Sequence, residues 1–114
     1  MRAYNEKNSK VICKNLGIAD SFFDRLKGLM FREKLNKGEG LLIIPCNSIH
    51  TFFMKFPIDV LFVNKEDKIV ACIEKMKPSR ISKIYGKAKY VVELPAGTIE
   101  KCDISVGDRI IYEK

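Results

Sequence analysis

His50 is the only histidine of the chain, and Cys46 stands four residues before it. A thiol and an imidazole at that spacing can serve as nucleophile and base in acyl transfer, or as two ligands of a metal ion. Each use needs more than the pair supplies. A nucleophilic dyad needs a third group to orient the imidazole, and none is signposted. A structural zinc site needs four ligands, usually as two short-spaced pairs, and the remaining cysteines at 13, 72 and 102 form no second pair. No metal and no cofactor is therefore expected. Ser48 and Thr51 lack the GxSxG setting of a nucleophile elbow, and no P-loop, GxGxxG or HExxH pattern occurs.

Asp59 is the other conspicuous residue, a carboxylate inside the apolar run IDVLFV. Burying it unpartnered would be expensive, so it must find an acceptor role. The favoured expectation is that it accepts hydrogen bonds from backbone or arginine and pins a turn, with Lys55, Arg25 and Arg32 as candidate cations. The functional expectation places Asp59 beside His50 on the rim of a pocket floored by Met30, Phe52 and Met54. A hydrolase-type alternative would pair His50 with Asp59 or Cys46.

Charge points elsewhere. The chain of 114 residues carries 21 Lys and Arg against 14 Asp and Glu, a net +7. From Lys75 to Lys89 there are six cations (Lys75, Lys77, Arg80, Lys83, Lys87, Lys89) and no acid. Such a run attracts nucleic acid or an acidic partner, or simply solvates a loop. Tyr85 is its only aromatic residue, whereas single-strand platforms interleave several, so nucleic-acid binding through 75–89 ranks below a solvated loop. The longest apolar stretch, Gly40–Pro45, is far short of the ~20 residues of a membrane span, and MRAYNEKNSK has no apolar segment behind its charges. Four cysteines without CxxC then read as reduced thiols of a cytoplasmic protein, with no membrane partner expected.

These residues must be held by a small framework. SKVICKNL (9–16) reads as a first strand, and Ser21 with Asp24 resembles a capping box opening a helix that Gly28 stops. Phe22, Leu26 and Leu29 recur at helical spacing, so this short helix is expected to be held by burying its phenylalanines. LLIIP, the alternating IHTFFM (49–54), IDVLFV, KIVACIEKM, KYVVELP and RIIYE read as further strands. The runs 58–63 and 68–76 are expected to form an antiparallel hairpin across the polar turn at 64–67, and Thr98–Cys102 to form one helical turn. No linker divides the chain. The expected fold is a single α+β domain over 1–114: a mainly antiparallel, curled or barrel-like sheet of six or seven short strands with one short N-terminal helix.

The stretches DRLKGLMFRE, HTFFMKFPIDVLFV, VVELPAG and ISVGDRI, in that order and spacing, resemble the family known as domain of unknown function 192. The resemblance runs from about Val11 to Tyr112. Its motif positions fall on Arg25, Gly28, Leu29, Met30 and Arg32, on Met54, Lys55, Pro57 and Asp59, and on Glu93, Pro95, Gly97, Gly107 and Asp108. Phe53 stands where many relatives carry tryptophan. The family has no established activity, so the resemblance implies a fold and a site but no reaction. Three cations (Arg25, Arg32, Lys55) and three acids (Asp59, Glu93, Asp108) among these positions imply either a buried ion-pair network or a polar pocket. The leading expectation is a non-enzymatic binding or interaction module. Its pocket would be lined by Arg25, Met30, Arg32, His50, Met54, Lys55, Asp59 and Glu93 and would take a small anionic ligand or a peptide of a protein partner.

Overall fold

The computed structural model describes all residues, 1–114. Eight strands and two short helices follow one another as β1 (Arg2–Asn5), β2 (Val11–Cys13), β3 (Asn15–Ala19), α1 (Phe22–Lys27), β4 (Glu39–Ile43), β5 (Ile58–Val63), β6 (Ile69–Met76), β7 (Tyr90–Pro95), α2 (Thr98–Lys101) and β8 (Ile110–Glu113). They form a three-stranded sheet in the order β2-β1-β8 and a five-stranded sheet in the order β3-β4-β7-β5-β6. Every pairing is antiparallel except β3 with β4, whose ends are joined through α1, the long connection a parallel pair requires. No helix is long and apolar enough to cross a membrane.

The α+β class and the antiparallel bias are as read from the sequence, and β5 and β6 form the expected hairpin. Several details differ. There are eight strands, not six or seven, and neither sheet closes into a barrel. The single strand expected over 9–16 bends at Lys14, so that β2 and β3 join different sheets. Arg2–Asn5 is a strand because it lies between β2 and β8, although only Ala3 and Asn5 turn inward. The helix expected between Ser21 and Gly28 follows three strands rather than one, and the single turn expected at Thr98–Cys102 is a second short helix, α2. Residues 49–54 are not a strand. His50 makes one isolated bridge to Ile81, and Phe53 then turns the chain with a φ of 62°.

The five-stranded sheet is buried on both faces, which is why β5 reads as an apolar run broken only by Asp59. On one face Leu61, Val63, Val92 and Leu94 pack with Ala3, Ile12 and Ile110 of the small sheet and with Ile99 of α2. On the other, Ile58, Val60, Phe62 and Val91 pack under Leu29, Ile49 and Met54. The loops around 29 and 49–54 thus roof the second face. Helix α1 opens on Ser21, whose side chain accepts the Asp24 N–H at 3.1 Å, and closes at Gly28, but it buries none of its own residues. The expectation that its phenylalanines hold it down is overturned: Phe22 and Phe23 are 65% and 77% exposed. Leu29, just past the helix, supplies the buried anchor instead.

Candidate functional site

The two carboxylates of the central strands face opposite ways. Along β5, Asp59 shares a face with Leu61 and Val63, toward α2. Along β7, Glu93 shares a face with Val91, and it is paired across the ladder with Val60, whose side chain belongs to the second core. Alternation therefore separates the two acids by the thickness of the sheet.

Asp59 is fully buried, and its oxygens are engaged by backbone alone. Oδ1 accepts the Lys75 N–H at 2.8 Å, and Oδ2 accepts the N–H groups of Gly97 at 3.1 Å and Ile99 at 2.8 Å. The β5–β6 register slips beside Asp59, and Lys75 has a φ of 51°, so the carboxylate caps a bulge on one side and fastens the start of α2 on the other. No cation reaches it.

Glu93 is 3% exposed, and its Oε1 has no hydrogen-bond partner. Burial pushes its carboxyl up to about 8 from 4.5, so at neutral pH the group is mostly a neutral acid. It borders a cavity of about 70 Å³ closed by α1 and its C-terminal turn on one side and by the segment from Cys46 to Met54 on the other. Gly28 has a left-handed φ of 48°, and a Cβ there would sit 3.7 Å from Glu93 Oε1, so the turn itself leans on the acid. Arg25 enters from α1. One of its terminal nitrogens donates to the Pro45 carbonyl at 3.2 Å, while Nε is buried with no partner.

Of the residues singled out from the sequence, Arg25, Met30, His50, Met54 and Glu93 line this one cavity, and Cys46 joins them. Arg32, Lys55 and Asp59 do not line it. Arg32 is exposed and lies 3.8 Å from Glu39, Lys55 pairs with Glu33, and Asp59 is on the far face. Asp108 sits apart, 3.2 Å from Lys7.

His50 and Cys46 are each engaged by their own local backbone. His50 Nδ1 accepts the Phe52 N–H at 3.2 Å, so the proton of the neutral ring is on Nε2. The Cys46 thiol donates to the Ser48 carbonyl at 3.0 Å, and burial pushes its pKa up, opposite to the shift that activates a thiolate. Asp59 cannot orient His50, since its oxygens already serve three amides.

Next along the chain to the lining residues Met30 and Met54 is an aromatic pair that sequence reading did not find. Phe31 and Phe53 stack at 5.4 Å, the Phe31 N–H donates to the Phe53 carbonyl at 3.0 Å, and both backbones are left-handed, at φ 67° and 62°. Both side chains are more than 60% exposed. A non-glycine residue in this region is strained, and two that are hydrogen-bonded to each other while presenting aromatic rings to solvent are a built feature. The basic segment lies alongside: Thr51 exchanges backbone hydrogen bonds with the stretch 79–80, the Ser82 N–H donates to the Ile49 carbonyl, and the Tyr85 N–H to that of Asn47.

A family model covers residues 3–112, that of domain of unknown function 192 (DUF192, uncharacterized ACR). The chain belongs to the DUF192 family. Among its relatives are UPF0127 proteins of Thermococcus sibiricus, 35% identical over 96% of this chain and 73% of the relative, and of Pyrococcus furiosus, 34% identical over 96% and 97%. A third, from Pyrococcus abyssi, is 37% identical over 93% and 92%. Two solved structures share the DUF192 fold seen here. A protein of unknown function from Novosphingobium aromaticivorans superposes with a TM-score of 0.84 at 20% identity, over 97% of this chain and 82% of that one. A proposed transcription regulator from Sinorhizobium meliloti gives 0.80 at 24% identity, over 96% and 89%. At these identities the likeness is one of fold.

Proposed function

We propose that this DUF192 chain is a binding module of a reducing compartment that seats the anionic head of a small molecule or peptide in the Arg25–Glu93 cavity. One observation carries the reading. Two polar atoms, Arg25 Nε and Glu93 Oε1, are buried on the same cavity with no partner in the protein. Buried polar groups are nearly always satisfied, so a pair left open on one cavity calls for a complementary group from outside. With Glu93 protonated, both residues present donors and the cavity carries the arginine's charge, which selects an oxyanion. The volume of about 70 Å³ is under half of the ~150 Å³ that admits benzene, so it holds a head group only. The remainder of the ligand lies out across Phe31 and Phe53, where aromatic faces give contact area without deep burial. Four free thiols suit the reducing compartment.

The test is a panel of small carboxylates followed by amide chemical-shift mapping. Shifts should centre on 25–30, 46–54 and 93. Arg25→Gln should abolish them and Glu93→Gln, which keeps a neutral donor, should preserve them. Wild-type affinity should fall as pH rises past about 8, where Glu93 ionises and repels the ligand. Binding that survives Arg25→Gln, or that strengthens at high pH, overturns the reading.

A further inference from the structure

A second concavity shares no lining residue with the Arg25–Glu93 cavity. It is much larger, about 640 Å³, in the range of small-molecule sites, and lies between the end of β2, the loop before β4 and the β7–α2 corner. Three lysines from these distant segments line it: Lys14, Lys37 and Lys101. No acid lines it, and none of the three ammonium groups has an ion-pair partner or a hydrogen-bond acceptor in the protein.

The backbones that carry them are fixed. The N–H groups of Lys14 and Asn15 both donate to the Gly38 carbonyl at 2.9 Å, Cys13 Sγ donates to that same carbonyl at 3.3 Å, and the Lys14 side chain lies over Gly38. At the other wall Cys102 Sγ donates to the Val11 carbonyl at 3.4 Å, and the Asp59 carboxylate holds the Gly97 and Ile99 amides. The floor is left open: a Cβ on Gly97 would meet nothing within 4 Å. Lys37, and more weakly Lys14, lower the pKa of Lys101, and no carboxylate offsets them. The fold thus places like charges around one hollow, an arrangement that an incoming anion relieves.

We infer that the Lys14–Lys37–Lys101 concavity is a binding site for a phosphate-bearing small molecule. Three ammonium groups are point donors that surround a phosphoryl group from separate directions, as carboxylate recognition by a planar guanidinium does not require. The half-buried Val11 and Pro95 beside them, with the buried Ile12 behind, take the apolar body of the ligand.

The probe is inorganic pyrophosphate, titrated into the full chain at 0.15 M salt (about physiological ionic strength) and followed by amide chemical shifts, with sodium sulfate as control. Expected are saturable shifts at 11–14, 37–38 and 95–102, tighter for pyrophosphate than for sulfate and retained in Arg25→Gln. Lys37→Ala and Lys101→Ala should each weaken binding by roughly tenfold, the loss of one charged hydrogen bond. Arg25→Gln should leave the constant unchanged, which separates this site from the Arg25–Glu93 cavity. Because all three lysines are exposed, the variants should fold as the wild type does, checked by their unchanged amide spectra elsewhere. Shifts at these positions that do not saturate, that sulfate reproduces equally, or that persist in the Lys37→Ala/Lys101→Ala double variant overturn the inference. Shifts that vanish with Arg25→Gln instead assign the anion to the other cavity and overturn it equally.

Discussion

Glu93 makes a quantitative claim on stability. Its carboxyl titrates near 4.5 when the chain is unfolded and near 8 in the fold, and burial is the cause. Between those values the native state holds a proton that the unfolded state has lost, so stability falls as pH rises. The slope is about 1.4 kcal/mol per pH unit, and across the window the loss reaches about 5 kcal/mol as a ceiling. The stabilising effect of the protonated state is complete below pH 4.5 and gone above pH 8. Glu93→Gln removes the titration while keeping the shape and a neutral donor. Urea unfolding of both proteins at pH 5, 7 and 9 gives the difference directly. Wild type and variant should be similar at pH 5, and the variant should be ahead by several kcal/mol at pH 9. Parallel pH profiles for the two proteins would refute the claim that Glu93 is buried as a neutral acid, and with it the charge logic of the cavity.

Asp59→Asn exchanges an acceptor of three backbone N–H groups for an amide that must turn its own donor toward one of them. It should cost at least about 3 kcal/mol and lower Tm by on the order of 10 °C, read by calorimetry. A silent substitution would mean that α2 is not fastened through Asp59. Gly40→Ala would place a Cβ 3.0 Å from both Cys13 Sγ and Leu94 Cδ2 and 3.1 Å from the Glu93 carbonyl. A loss of about 1–3 kcal/mol in denaturant unfolding is expected. All four thiols have raised pKa values through burial, Cys72 up to about 11. At pH 7.5 iodoacetamide should therefore label the native protein far more slowly than the urea-unfolded chain, followed by mass spectrometry. Cys46 alkylating in the native protein at an unfolded-like rate would restore the Cys46–His50 nucleophile as a live alternative.

What the sequence discloses about the fold depends on whether burial leaves a pattern. β5 and β7 are buried along nearly their whole length and read as strands at once, and the polar turn between β5 and β6 marks their hairpin. β1 is hidden because Arg2 and Tyr4 face outward and one of its two inward residues is Asn5, whose amide donates to Asp108. Its strand state comes from the two partners it lies between, which no local window contains. Residues 49–54 mislead for the opposite reason. They alternate as a strand would, but the stretch is spent on Thr51, which is fully buried and bonded to Lys77 and Arg80, and on the left-handed turn at Phe53. In α1 the helical spacing of Phe22 and Leu26 is real, yet the stripe faces solvent, because Leu29 and Gly28 past its end make the contact with the sheet.

The site divides along the same line. Asp59 and Glu93 look alike in sequence, each an acid within an apolar run, and strand alternation tells which neighbours share a face with each. It does not tell which face of one strand matches which face of another, since that is set by register. Val60 opposite Glu93 puts Glu93 on the Ile58–Val60–Phe62 face of β5, away from Asp59, and a one-residue slip would have joined the two acids. The consequence is chemical. On the α2 side, backbone amides at a bulge and a helix start supply every hydrogen bond that Asp59 needs, so that acid is consumed by architecture. On the α1 side the nearest elements are a left-handed glycine, two methionines and one arginine held away by the Pro45 carbonyl, and none offers Glu93 Oε1 a partner. Register alone thus converts two similar acids into a structural pin and a buried carboxyl with an unpartnered oxygen.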